Sequence, residues 1–131
     1  MKVAIFENEY DSVRLAFETA NLISFDNKID FQVFTSSQAS NRFTINQFDV
    51  IFIDIDLSVK SIHDGYTLIT NLIEENPDLA KKIVVLTGNN KIRESLANRG
   101  IDSTTLQVII KPTDFIQIAN SINKVIEQTA N

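Results

Sequence analysis

Polar side chains follow four of the apolar runs in this sequence, each at the point where the run stops. They are carboxylates, an amide, a hydroxyl and an ammonium, and in chain order they are Glu7, Asn8, Glu9, Asp54, Asp56, Thr87 and Lys111. Carboxylate and amide oxygens are the ligands that Mg²⁺ prefers in proteins. A carboxylate can also accept a phosphoryl group as a mixed anhydride. If these side chains meet in space, the set favours phosphoryl transfer to a carboxylate.

Within that chemistry, Asp54 is the candidate nucleophile. A divalent cation, Mg²⁺, needs oxygen ligands beside it. The candidates are the carboxylates of Asp54 and Glu7, the amide oxygen of Asn8, and a main-chain carbonyl near Asp56.

The two remaining candidates would act on the transferred group. Lys111, together with the cation, would neutralise charge that builds on the phosphoryl oxygens. The hydroxyl of Thr87 would hydrogen bond the new phosphoryl group, and Gly88 would let the backbone approach it closely.

The apolar runs themselves predict the strands that position these residues. They are rich in Val, Ile and Phe and apolar at nearly every position, which is typical of strands covered on both faces of a parallel sheet. They lie at 3–6, 31–34, 50–53, 83–86 and 108–110.

Helical spacing of apolar residues separates the runs. It predicts helices near 13–23, 68–73, 92–96 and 115–126, with a weaker helix at about 37–45. Pro77 ends the helix near 68–73, which is the third along the chain. Gly100 is a candidate C′ glycine for the fourth helix, near 92–96. Strands that alternate with helices predict an α/β fold, (βα)5, with a doubly wound parallel five-stranded sheet. In such a sheet, ligands bind beyond the carboxyl ends of the strands.

Composition bounds the functions that remain. The 131 residues fit one domain, 1–131. Twelve Lys and Arg against 17 Asp and Glu give a net charge of −5, which disfavours a nucleic-acid surface. The chain has no cysteine, so it has no disulfide and no thiolate chemistry. No apolar run approaches the roughly 18–20 residues of a membrane span, so we expect no membrane association and a cytoplasmic location.

Five segments carry a family resemblance: KVAIFENE at 2–9, FDVIFID at 48–54, the Asp64-Gly65 pair, VLTG at 85–88 and IIKP at 109–112. With them, essentially the whole chain resembles the receiver domain of bacterial two-component response regulators, which include single-domain chemotaxis regulators. The resemblance implies a flavodoxin-like strand order of 2-1-3-4-5 in a three-layer sandwich. It also implies that Asp54 is the phosphorylated aspartate.

The same resemblance assigns further roles. It makes Thr87 the switch threonine and Lys111 the invariant lysine, which a cis bond usually joins to its proline. It implies Mg²⁺ as cofactor and a sensor histidine kinase or phosphotransfer protein as phosphodonor. The signal would leave through the face of helix 4, strand 5 and helix 5, toward a downstream protein or a second copy in a homodimer.

Some residues depart from the family pattern. The usual acidic pair after the first strand is here Glu7-Asn8, which removes one negative charge, so we expect weaker Mg²⁺ binding and slower phosphorylation. The loop after Asp54 is longer than usual, since Gly65 follows by eleven residues and Ser58 stands at the usual proline position.

Three more positions bear on the lifetime of the phosphoryl group and on the switch. Asp56 and Asn89 lie at the positions where the family tunes phosphoryl lifetime. Val108 replaces the switch aromatic.

Two other functions stay open. A degenerate receiver would act as a phosphorylation-independent protein-interaction module. A less favoured alternative is a haloacid-dehalogenase-like phosphatase, because residues 50–58 read apolar-Asp-x-Asp-x-Ser and Asp56 would be its general acid. That family adds an acidic metal motif after the lysine, where only Asp114 follows here. We therefore expect a signalling domain and not an enzyme.

Overall fold

The computed structural model describes residues 1–35, 45–56 and 64–130. These contain one parallel sheet in the order β2-β1-β3-β4-β5. The strands are β1 (Lys2–Phe6), β2 (Asp30–Phe34), β3 (Val50–Asp54), β4 (Ile83–Thr87) and β5 (Gln107–Ile110). The predicted flavodoxin-like order 2-1-3-4-5 is confirmed, and each predicted run is a strand to within one residue at each end.

The described residues contain four α-helices: α1 (Arg14–Ser24), α2 (Gly65–Glu75), α3 (Ile92–Asn98) and α4 (Phe115–Thr129). Each of the first three lies between two strands, and α4 follows β5. The fourth and fifth predicted helices, near 92–96 and 115–126, correspond to α3 and α4. The weak helix predicted at about 37–45 lies outside the described residues, apart from Ile45, which begins a short 3-10 helix. Ser58 also lies outside them. None of the described helices has both the length and the apolar character that a membrane crossing needs.

The sheet is buried because each face carries its own apolar layer. One layer joins alternate residues of β3 such as Ile51 and Ile53 to α2 and α3. The other joins the intervening Phe52 to Phe17 of α1 and Ile118 of α4. Side chains alternate between the two faces of a strand, so a strand that is apolar at every position fills both layers. This three-layer arrangement is the one that the apolar runs predict.

The predicted apolar stripe of α1 is wrong at its carboxyl end. Ile23 is 61% exposed, although its spacing places it on the buried face. The core position at this end of the sheet belongs to Ile29. The Asn21 side chain holds Ile29 there, accepting from its N–H at 3.0 Å and donating to its carbonyl at 3.2 Å.

The start of α2 is fixed against the end of β3. Asp64 caps the helix, since its Oδ1 accepts from the N–H of Thr67 at 2.9 Å. Gly65 donates its N–H to the carbonyl of Ile55 at 3.0 Å. A Cβ on Gly65 would lie 2.5 Å from the Asp54 carbonyl oxygen and 2.5 Å from the Ile55 Cα. Only glycine allows this close approach of the two backbone segments.

The end of α3 matches its prediction. Gly100 has φ +76 and follows the C-cap residue Arg99, so it is the C′ glycine. The N–H of Ile101 returns to the Leu96 carbonyl at 2.9 Å, which closes the helix end in the manner of a Schellman motif.

Candidate functional site

Three predicted site residues meet at the carboxyl edge of the sheet. Glu7 follows β1, Asp54 ends β3 and Lys111 follows β5. The Nζ of Lys111 lies 2.6 Å from Glu7 Oε2 and 3.3 Å from Asp54 Oδ2. Glu7 has no exposed surface and Asp54 is 3% exposed, so one ammonium serves two buried carboxylates.

The other oxygen of each carboxylate has a backbone partner. Glu7 Oε1 accepts from the N–H of Glu9 at 3.2 Å, and Asp54 Oδ1 accepts from the N–H of Asp56 at 3.1 Å. In both cases the donor lies two residues further along the loop that leaves the strand. Each loop thus turns back on its own carboxylate and fixes its orientation.

Burial changes the acidity of Glu7. The pKa of this carboxyl is raised from 4.5 to about 7; burial is the largest cause, a hydrogen bond with Asp54 adds to it, and Lys111 opposes both. Burial by itself lowers the pKa of Lys111, but the hydrogen bond to Glu7 and the charge of Asp54 outweigh it and leave that pKa above its usual value. The lysine therefore stays charged near neutral pH, whereas Glu7 is close to its titration point.

Thr87 ends β4, between Asp54 and Lys111 in the order of the strands. Its carbonyl accepts from the N–H of Lys111 at 2.7 Å, which ties the start of the β5 loop to β4. Its buried hydroxyl oxygen accepts from the N–H of Asn89 at 3.1 Å. A Cβ on Gly88 would meet no atom within 4 Å, so no neighbour in the described residues requires glycine there.

The other candidates lie around this group. Asn8 is half-buried directly after Glu7, and Asp56 and Glu9 are exposed. The side chain of Asn89 is directed to α3, because its Nδ2 donates to Ser95 Oγ at 3.1 Å. The geometry thus gives Asn89 a structural contact near the start of α3. Its assignment to phosphoryl lifetime remains a prediction.

The donor set can be tested against Mg²⁺. Oxygen donors of the preferred type are present in Glu7, Asn8 and Asp54. Across 1–35, 45–56 and 64–130, however, no three His, Asp or Glu side chains are grouped so that they could hold a metal ion. Both buried carboxylates are already paired with Lys111. The residues fit a magnesium ion in type, but an ion bound by these carboxylates would have to compete with the Lys111 ammonium.

Sequence reasoning missed two contacts. One is the ion pair between Glu7 and Lys111. The clue in the sequence was the glutamate at position 7, because its side chain is one methylene longer than that of aspartate and can reach further along the sheet edge. The other is Arg99, whose guanidinium lies 3.8 Å from Asp64 Oδ2 and 4.5 Å from the centroid of the Tyr66 ring. Arg99 thereby links the end of α3 to the start of α2, close to the Gly65 contact. No spacing in the sequence indicates it.

Solved structures share this fold. The receiver domain of NtrX from Brucella abortus superposes with a TM-score of 0.72 at 19% identity, covering 97% of this chain and 99% of that one. A response regulator receiver domain protein from Clostridium thermocellum gives 0.71 at 17% identity, covering 98% and 96%. The signal receiver domain of a signal transduction histidine kinase from Syntrophus aciditrophicus gives 0.68 at 20% identity, covering 98% and 91%.

A longer NtrX chain matches as well, and this chain spans 27% of its length. No protein-family profile and no curated protein matches the sequence. The structural neighbours are receiver domains over nearly the whole chain, so the fold implied by the sequence resemblance is confirmed.

Proposed function

We propose that this chain is a phosphoacceptor receiver domain of two-component or phosphorelay signalling, phosphorylated on Asp54. One observation carries the proposal. Asp54 is buried at the carboxyl end of β3 in a 2-1-3-4-5 sheet, and the Lys111 ammonium from β5 lies 3.3 Å from its Oδ2. A nucleophilic carboxylate and a fixed positive charge therefore share one edge of the sheet.

The phosphodonor would be a phosphohistidine of a sensor kinase or phosphotransfer protein. A carboxylate oxygen of Asp54 attacks the phosphorus, the P–N bond breaks and the imidazole leaves, giving an aspartyl phosphate. Lys111 is placed to bind a phosphoryl oxygen, which requires it to move its hydrogen bonds from the carboxylates to the new group. The Thr87 hydroxyl, one strand away, is the second candidate donor.

Mg²⁺ is the proposed cofactor. The residues that would hold it are Glu7, Asn8, Asp54 and the main-chain carbonyl of Asp56. When bound, the ion supplies positive charge that offsets the charge of the phosphoryl oxygens. We expect weak binding, because Asn8 carries no charge and Lys111 occupies both carboxylates.

The output would leave through the face of α3, β5 and α4, toward a downstream protein or a second copy of the chain. A cleft of about 670 Å³ lies between β5 and α4, and Val108 and Ile110 are among its lining residues. Exposed Ile116 stands near the start of α4. These apolar groups suit a protein contact, and we propose neither a nucleic-acid nor a membrane partner for this domain, which we place in the cytoplasm.

A second candidate is a phosphorylation-independent interaction module. The observation in its favour is that each of the four carboxylate oxygens of Glu7 and Asp54 already has a partner, namely the Lys111 ammonium or a backbone N–H. Such a pocket is stable without a phosphoryl group. The two candidates differ in whether Asp54 reacts.

Intact-mass measurement after incubation with acetyl phosphate and Mg²⁺ separates them. The phosphoacceptor proposal predicts the mass gain of one phosphoryl group in the wild-type protein and in Asp56→Asn, and none in Asp54→Asn. An unmodified wild-type protein would instead support the interaction module. Equal labelling of Asp54→Asn would contradict the assignment of the site.

We propose no enzymatic turnover. The general acid that a phosphatase would need is Asp56, which is exposed and whose N–H is bonded to Asp54. Release of p-nitrophenol from p-nitrophenyl phosphate with Mg²⁺, lost in Asp56→Asn, would contradict this view.

A further inference from the structure

A cleft of about 370 Å³, here called the α2 cleft, lies between α2 and the loop at 100–105 that leads from α3 to β5. Its floor is apolar. Ile73 of α2 and Ala80 of the 3-10 helix that follows are half-buried, and Ile101 of the loop is buried. The volume is at the lower end of the range of about 300–1,000 Å³ that is typical of ligand pockets. The cleft therefore suits one or two inserted side chains and not a whole helix.

The rim of the α2 cleft carries two carboxylates, one from each wall. Glu74 comes from α2 and Asp102 from the loop, and both are exposed. None of the described residues that line the cleft is a Lys or Arg. Arg99, just before the loop, is directed instead to Asp64 and to the ring of Tyr66. The cleft thus presents two negative charges that no lining cation offsets.

Hydrogen bonds fix the loop wall of the cleft. Oδ1 of Asp102 accepts from the N–H of Thr104 at 3.0 Å and from its hydroxyl at 2.8 Å. These bonds, the backbone one first, lower the pKa of Asp102 and keep it ionised. Arg93 of α3 holds the same loop, because its Nη1 donates to the Ser103 carbonyl at 2.7 Å and its Nη2 to the Leu106 carbonyl at 3.4 Å. A wall that is already ordered costs less entropy when a partner binds.

We propose that the α2 cleft is a docking site for a basic segment of a partner protein, which inserts an arginine side chain between Glu74 and Asp102. An arginine buries its apolar stem along an apolar surface while its charged end stays at the rim. Its guanidinium carries five N–H donors, and carboxylates are its usual partners. The hydroxyl oxygens of Thr70 and Thr105, which also line the cleft, are further acceptors.

Charge favours a basic partner over a second copy of this chain. The whole chain has a net charge of −5, so two copies repel each other, whereas a basic segment is attracted from a distance and most strongly to an acidic cleft. No residue that lines the cleft belongs to the pocket of Glu7, Asp54 and Lys111. The inference therefore goes beyond the proposed function and does not rest on it.

Methyl NMR titration of the full chain with two short capped peptides tests the proposal. One has the sequence Ala-Leu-Arg-Leu-Ala, and the other has citrulline in place of arginine, which keeps the length of the side chain and removes its charge. At low salt, the arginine peptide should give saturable shifts of the methyl signals of Ile73, Ala80 and Ile101. The citrulline peptide should bind about tenfold more weakly, the size expected for losing two partly exposed ion pairs.

Variants of the two rim carboxylates locate the contact. Glu74→Gln and Asp102→Asn should each weaken binding of the arginine peptide about threefold and leave the citrulline peptide unaffected. Asparagine keeps an acceptor for Thr104, so the loop should retain its conformation. Glu127→Gln removes the same charge from α4, which packs on the other face of the sheet, and this control should leave the affinity unchanged.

Equal affinities for the two peptides would overturn the proposal, and so would unchanged affinity in the double variant of Glu74 and Asp102. Absence of saturable shifts in the wild-type protein would do the same. Cleft signals that shift with protein concentration alone would assign the cleft to a second copy and reject the basic partner. None of these titrations requires a phosphoryl group, so their outcome is independent of whether Asp54 is phosphorylated.

Discussion

At the scale of single residues, the pocket is a balance of three charged groups, two of them buried carboxylates and the third a partly exposed ammonium. Glu7 is wholly buried and Asp54 nearly so, and both depend on Lys111. Burial disfavours a charged carboxylate, which is why the pKa of Glu7 rises to about 7. Glu7 thus anchors Lys111, and its ionisation also lowers the free energy of unfolding.

This gives a pH prediction. The folded pKa of Glu7 lies above its ordinary value of 4.5, so the folded state binds more protons than the unfolded state between about pH 4.5 and 7. Stability should therefore fall as pH rises through that window. In metal-free buffer, urea unfolding should show wild type losing about 1–2 kcal/mol more than Glu7→Gln between pH 5 and pH 7.5, after allowance for solvent screening.

Glu7→Gln is suited to this comparison because it keeps the shape of the side chain and removes its titration. Asp54 and Lys111 are present in both proteins, so the comparison reports the loss of the Glu7 titration together with its coupling to these two neighbours. Parallel pH dependences for the two proteins would contradict the account of Glu7.

At the scale of elements, the site depends on how closely α2 approaches the end of β3. Gly65 begins α2 against the backbone of Asp54 and Ile55, and Asp64 caps the same turn. The helix thereby holds the segment in which the N–H of Asp56 donates to the Asp54 carboxylate. A change at Gly65 should therefore reach Asp54 through the backbone.

Gly65→Ala should destabilise the protein by about 1–3 kcal/mol, because its Cβ would lie 2.5 Å from backbone atoms that cannot give way cheaply. Gly88→Ala is the matched control, since a Cβ there meets nothing within 4 Å and should change the free energy of unfolding little. Urea unfolding of the two variants measures both. Similar losses for both glycines would show that steric crowding at Gly65 is not the cause.

Much of this element structure was predictable from the sequence. Apolar runs predict strands because a strand buried on both faces needs apolar side chains at every position, and β3 and β4 satisfy that rule. The helix end at Gly100 was predictable for a similar reason, since its left-handed φ favours glycine.

The rest depends on contacts between residues far apart in the chain. The 2.6 Å bond from Lys111 to Glu7 joins residues 104 positions apart and depends on strand order and side-chain reach together. Ile23 is exposed, whereas Ile29, which the chain brings back after α1, belongs to the core. The spacing of apolar residues within a single helix predicts neither the Lys111–Glu7 bond nor the exposure of Ile23.

At the scale of the whole molecule, one sheet separates two apolar layers and presents its polar residues at one edge. The same fold occurs in receiver domains that are 17–20% identical to this chain. What such proteins share is the pattern of buried strands and the strand order, which fix where the carboxyl ends lie. If the proposed function is right, a signal that starts at Asp54 can reach α3 and α4 along the sheet edge through β4 and β5, which follow β3 in the strand order.

That path gives a prediction for the molecule as a whole. Charge added at Asp54 should draw Lys111 and Thr87 toward it, and both are tied to one another through the 2.7 Å bond between the Lys111 N–H and the Thr87 carbonyl. Backbone NMR signals of β5 and the start of α4 should therefore change together with those of the pocket. Signals of α1 should change least, and a uniform change over all helices would contradict this route.

The most direct measurement of the central claim is the amide NMR spectrum with Mg²⁺ and beryllofluoride, which mimics a phosphoryl group on a carboxylate. Wild type should form a stable adduct that shifts the signals of Asp54, Thr87 and Lys111, whereas Asp54→Asn should show none of these shifts. Identical spectra with and without beryllofluoride, or the same shifts in Asp54→Asn, would contradict the assignment of Asp54 as the phosphoacceptor.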